Sequence, residues 1–109
     1  MAHSVSLDVD AQFDRGAVAC SPKQRATLRC QRGLVGRHAV TGLYEVREQD
    51  GQIVGIQHDF AVDLVAENSL LDVLTAAAMQ HQRVFGSGDH VFVESVEIDD
   101  HTIRLGMGS

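Results

Sequence analysis

The sequence predicts an α+β fold: a curved antiparallel sheet of five or six strands with one long helix, about residues 69–85, packed on one face. Three observations predict it. Residues 53–65, I-V-G-I-Q-H-D-F-A-V-D-L-V, alternate in polarity with the two-residue period of a strand. Leu70, Leu74, Ala77 and His81 then recur at i, i+4, i+7 and i+11, the apolar stripe of a helix. Between them and the preceding chain, Asp50-Gly51 suits the left-handed dihedrals of a tight hairpin turn. Runs of strands broken by one helix imply an antiparallel sheet with that helix laid on it.

Val5, Leu7 and Val9 alternate with Ser6, Asp8 and Asp10 in a short half-buried strand. Residues 12–16 read as a loop or a partial turn of helix. Two signals compete over residues 21–33. Ser21-Pro22 can cap and open a helix that Gly33 would close. Ala26, Leu28 and Cys30, however, alternate with polar neighbours, which favours a strand over 27–32. A strand over 38–48 follows, with Val40, Tyr44 and Val46 on one face. It meets the strand after Gly51 as a hairpin. In that second strand Val54, Ile56, His58, Phe60, Val62 and Leu64 share the apolar face. Thirteen residues at ~3.3 Å each span roughly 43 Å, so a bend or bulge is expected near Gly55 or Ala61.

The helix opens at Asn68-Ser69, whose side chains suit a cap, with Asp72 placed to favour the positive end of the dipole. It stops at Gly86-Ser87-Gly88. Residues 90–98 and 102–107 form a closing hairpin, with Ile103, Leu105 and Met107 on one face. A helix of about sixteen residues is too short to cover such a sheet. Ile53, Val65, Val91 and Val93 fall off the main apolar faces and offer a surface to another copy. A homo-oligomer is expected, a dimer first.

At 109 residues the chain reads as a single domain, with Gly108-Ser109 open to reading as a cloning remnant. With 44% hydrophobic and 22% charged residues, it has the composition of a soluble protein. It has no apolar run near ~20 residues and no secretory signal pattern, so the expected location is cytoplasmic, away from the membrane. Cys20 and Cys30 lie ten residues apart and are expected as free thiols.

The net charge of −6 is unevenly placed. Between Asp14 and Glu45 the chain holds six basic residues and no acidic one, against three basic and fifteen acidic elsewhere. This basic segment, 15–37, hints at an anionic partner, although folding against the acidic remainder accounts for it as well. Within it Arg25, Arg29, Arg32 and Arg37 are the candidate anion-facing group, because a guanidinium grips carboxylate or phosphate with two bonds. Nucleic acid is disfavoured: the chain is acidic overall and only 5% aromatic, too poor for base stacking.

His58 is the candidate catalytic residue, a polar ring on the apolar face of a strand. Burial costs free energy unless the ring is hydrogen-bonded, and it shifts acid–base behaviour. The simpler alternative is a core histidine bonded to a backbone carbonyl, or one exposed where the helix does not reach. An acidic partner would have to come from another strand, such as Glu94. His81, on the helix stripe near the C-terminus, is a candidate ligand-binding residue that could share a cavity with His58. No metal site is expected. Asp89-His90 and Asp99-Asp100-His101 lie roughly 30 Å apart at ~3.3 Å per residue, and Asp8, Asp10 and Asp14 lack the other parts of a calcium loop. No motif implies a cofactor. Gly86-Ser87-Gly88 follows a helix, whereas a phosphate cradle opens one.

The expected function is therefore a small oligomeric binding or accessory module, taking a small anionic ligand or a protein partner. A proton-transfer or hydrolytic enzyme built on His58 is the alternative, and nucleic-acid binding through 15–37 the third.

Overall fold

The computed structural model describes residues 4–86 and 88–108. The elements run β1 (Val5–Asp14), β2 (Ala17–Cys20), α1 (Pro22–Cys30), β3 (Gly36–Gln49), β4 (Gln52–Leu64), α2 (Leu70–Phe85), β5 (Phe92–Ile98) and β6 (Thr102–Gly108). All six strands join one sheet in the order β2-β1-β5-β6-β3-β4. The α+β class is as expected, but the sheet is mixed. Its β3 and β6 lie parallel, with Val40 opposite Ile103, while the other neighbours are antiparallel. The reason is the connection through α2. It carries the chain back across the sheet, so that the β5–β6 hairpin inserts between β1 and β3 and β6 arrives running the same way as β3.

Two helices are present where one was expected. The strand expected over 27–32 is the end of α1. Here the local start signal outweighs the alternation: Ser21 Oγ accepts the Gln24 amide at 3.1 Å and Pro22 opens the first turn. Among its nine residues only Leu28 is buried, so Ala26 and Cys30 do not share a buried face with it. The loop expected over 12–16 is mostly strand. β1 continues to Asp14 and turns at Arg15-Gly16, both at positive φ, into β2. Asp50-Gly51 makes the same kind of two-residue turn between β3 and β4. Arginine is a poor sequence marker for such a turn, which is why the first hairpin escapes a reading by residue type.

The expected kink in β4 lies instead on β3. The register shifts between Val40 and Leu43, opposite Phe60 and His58. Gly42 sits there at φ 105°, its α-carbon pressed against the Leu105 backbone of β6, where no side chain fits. This bulge inverts the phase of β3. Val40, Leu43 and Glu45 point inward, while Tyr44 is half-buried and Val46 is exposed, so Tyr44 and Val46 do not share the face of Val40.

The core lies between the helices and the sheet, centred on Leu28, Val40, Leu43, Leu70, Leu74 and Ile103. α2 buries Leu70, Leu71, Val73, Leu74, Ala77, Ala78, His81 and Phe85, which is the stripe that the spacing predicts. Its entry is fixed by the Asp72 carboxylate, which accepts the Ser69 amide at 2.9 Å. The segment after α1 is tied to the same point, as Gln31 accepts the Leu70 amide at 2.8 Å. Val93 is in the core, because a register shift between Val93 and Ser95 turns Val93, Val96 and Ile98 all inward. Val91 is half-buried, whereas Ile53 and Val65 are exposed. Among the described residues, no helix is long and apolar enough to cross a membrane.

Candidate functional site

The inverted phase of β3 drives a carboxylate into the interior. Glu45 is only 4% exposed. The chain between α2 and β5 folds over it, and its backbone supplies the donors: the His90 amide at 2.9 Å to Oε1 and the Asp89 amide at 3.2 Å to Oε2. Gly88 packs so closely on the carboxylate that a β-carbon there would collide with it. Two imidazoles complete the cluster. His81 Nε2 lies 3.4 Å from Oε1 and His90 Nδ1 lies 3.7 Å from Oε2. Both nitrogens are shielded from solvent, and neither makes an aligned hydrogen bond at these separations.

Burial pushes the Glu45 carboxyl up, but the amides of His90 and Asp89, then His81 and the His90 ring, outweigh it and hold the group below its ordinary value. The cluster is framed by aromatic rings. His81 lies between Phe13, at 6.0 Å between centroids, and Phe85, at 5.3 Å. His90 packs on Tyr44 at 4.5 Å. Arg47 crosses the Phe85 ring and donates to the Phe85 carbonyl at 3.1 Å, placing a cation at the negative end of α2.

One side of His81 lines a cavity of about 230 Å3. The cavity is a half-open cleft bordered by the β1–β2 turn, the end of α2 and the segment before β5, with Gln12, Phe13, Arg15, Gln82 and Val91 also in its lining. His81 Nε2 is committed to Glu45, which leaves Nδ1 as the ring's other polar atom. A carboxylate holding one nitrogen of an imidazole beside a cavity is an arrangement able to orient the ring. The two imidazoles address different oxygens of Glu45. Among the described residues, no group of three or more His, Cys, Asp or Glu side chains is arranged to hold a metal ion.

His58 lies elsewhere. It is half-buried on the inner face of β4, stacked on Phe60 at 6.3 Å between ring centroids, with Nε2 3.2 Å from Gln80 Oε1. Its polar partner is thus an amide of α2 and not Glu94, which is exposed on β5 beside Gly108. His58 and His81 do not share the cavity: His81 lines it and His58 does not. The four arginines are separated in their engagements. Arg25 donates to the Val18 carbonyl at 2.6 Å, and Arg37 pairs with Asp63 at 3.5 Å across β3 and β4. Arg29 and Arg32 are exposed at the end of α1, where Arg32 Nε donates to the Arg29 carbonyl. None of the four lines the cavity by His81, whose basic residue is Arg15.

Asp99, considered above beside His101, is occupied by the β5–β6 turn. Its Oδ1 accepts the amides of His101 and Thr102, at 2.9 and 2.7 Å, and these hold its carboxyl below the ordinary range. Cys20 and Cys30 are free thiols, the first half-buried and the second exposed.

Glu45 and His90 are the members that sequence reasoning missed. The available signal was Gly42: a glycine inside a strand pattern marks a bulge or a close backbone approach, and a bulge there turns Glu45 inward. No family model, curated protein or solved structure matches this chain.

Proposed function

We propose that this protein is a small binding module whose cleft beside His81 takes a small molecule bearing a carboxylate or phosphate group. The observation that supports this reading most is His81 itself. The ring is 3% exposed, its Nε2 is turned to Glu45 at 3.4 Å, and the ring lines a cavity large enough for a small molecule. Burying a polar ring is costly, and a cavity wall that keeps one is a candidate functional site. Arg15 supplies the cation for an acidic group, and Phe13 and Val91 supply apolar contact. Asp14 and the end of α2 lie at the same cavity, so a purely anionic ligand suits it less than one that also carries a donor.

Titration with inorganic phosphate and with glycolate, each carrying a hydroxyl donor beside its anionic group, followed by 15N NMR, tests this reading. The amide signals of Gly16, Gln82 and Val91 should move together, with an affinity that falls as salt is raised and is lost in Arg15→Ala. Shifts confined to Arg29 and Arg32, or no shifts at all, would overturn it.

The Glu45–His81 pair favours a second reading, proton transfer through His81 with Glu45 as its orienting carboxylate. It places the acid–base role on His81, because His58 meets an amide. Hydrolysis of p-nitrophenyl acetate above the free-imidazole background, lost in His81→Gln, is its expected signature. Turnover equal to that background would sink it.

A further inference from the structure

The strand β4 closes one end of the sheet, and all thirteen of its residues have a neighbour on one side only. Such an edge presents a row of unpaired amides and carbonyls, and proteins usually blunt it with charged side chains (lysine above all), proline, a bulge or a covering element. On β4 the exposed Asp59 and Asp63 are the only charges, both on the outer face. The only proline and the only lysine of the chain are Pro22 and Lys23 in α1. The bulge of the hairpin is on β3, and β4 itself runs unbroken. The opposite edge, β2, has four residues.

The inner face of β4 is also incompletely covered. Val54, Ile56, His58, Phe60 and Val62 form a row that remains half-buried, and only Leu64 at the end is in the core. Gln80 is the α2 residue that reaches His58. Ile53, at the hairpin end, is 80% exposed.

We infer that β4 is the dimerisation edge of this protein, pairing antiparallel with β4 of a second copy about a two-fold axis at His58. The pattern of the strand itself selects the occupant and the register. A two-fold axis perpendicular to the sheet keeps both inner rows on one face, and residues facing each other have numbers symmetric about the axis. At His58, Ile56 meets Phe60 of the second copy, Val54 meets Val62, and the two imidazoles meet each other. On the outer face Asp59 meets Gln57 and Asp63 meets Ile53. An axis at Asp59 or Ala61 would set Asp59 against an aspartate of the other copy, and like charges directly opposite destabilise a pair. An axis at Gln57 or Phe60 would set His58 against Ile56 or Val62. Only the axis at His58 matches the five half-buried inner residues from Val54 to Val62 to their own kind, with Leu64 and Gln52 at the two ends. The result joins two six-stranded sheets into one, with the helices of both copies on the same side, by the mode known as strand addition.

Hydrogen exchange and solution mass test it together. In a lone edge strand alternate amides point to water and exchange quickly, whereas a second strand protects them. The two-residue period of exchange along β4 should therefore vanish as concentration rises, and sedimentation should give twice the chain mass. Ile56→Lys with Phe60→Lys should raise the dimer dissociation constant roughly tenfold or more, since apolar contact is replaced by charge. The exchange pattern is read on the unaltered chain, so it decides even if that variant fails to fold. A single-chain mass at millimolar concentration overturns the proposal, as does a dimer in which alternate β4 amides stay fast.

Discussion

His81 Nε2 lies 3.4 Å from Glu45 Oε1, with both side chains withdrawn from solvent. The two residues are brought together by separate elements, Glu45 by the reset phase of β3 and His81 by the apolar stripe of α2. The segment 88–90 then seals them with two amides. The carboxylate of this cluster has a clear consequence for stability.

Glu45 is held below its ordinary value of 4.5, so the folded chain binds this proton less readily than the unfolded chain does. Its contribution to stability is present in full above about pH 4.5 and is lost as the pH falls through the depressed folded value. Glu45→Gln, which sets an amide against backbone donors, should cost about 2 kcal/mol at neutral pH. Urea melts of both chains from pH 7 to pH 3 check this. The difference between them should be steady down to about pH 5 and shrink in more acid solution. A difference that does not change with pH would contradict the role assigned to the carboxylate.

Gly42→Ala should be among the most damaging small substitutions available. The residue is at φ 105°, and an added β-carbon would strike the Leu105 carbonyl of the neighbouring strand. Backbone strain alone costs about 1–3 kcal/mol, and a collision with backbone cannot be relieved by turning a side chain. A loss of about 3 kcal/mol or more in urea unfolding is expected. Because the bulge also places Glu45, the amide signals of Asp89 and His90 should move in whatever folded fraction remains.

Arg37→Ala should change little. The Arg37–Asp63 pair is 3.5 Å long, and its side chains are 71% and 77% exposed. Exposed pairs of this kind contribute about 0–1 kcal/mol. The loss should be under about 0.5 kcal/mol and should disappear in high salt, as denaturation with and without added sodium chloride would show. A larger effect would give Arg37 a structural or binding role that its geometry does not suggest.

Much of the fold was legible because its signals are local. The apolar stripe of 70–84 and the Asp50-Gly51 turn specify α2 and the β3–β4 hairpin within a few residues of themselves. The strand phase of β4 was equally clear, with even residues facing in. The α1 segment was harder because Ser21-Pro22 and the alternation of 26–31 disagree. The helix prevails, since its cap and first turn form by local hydrogen bonds, while a strand there would have needed a partner. The candidate site was largely hidden. His81 was visible as a polar residue on an apolar stripe, but Glu45 looked like a solvated strand residue until the bulge at Gly42 moved it.

By itself the sequence determined the α+β class, the position of α2, the two hairpins β3–β4 and β5–β6, and the concentration of basic residues in 15–37. Each of these depends on residue type and on spacings of two to four positions. Only the tertiary structure decided that β6 runs parallel to β3, that β4 lies at an edge, that His58 meets Gln80, and that Glu45 lies between His81 and His90. Those outcomes depend on strand order and on one register shift, which bring together residues as far apart as 45 and 90. A one-residue bulge reverses every side chain beyond it, and a period counted along the chain carries no record of where that reversal occurs.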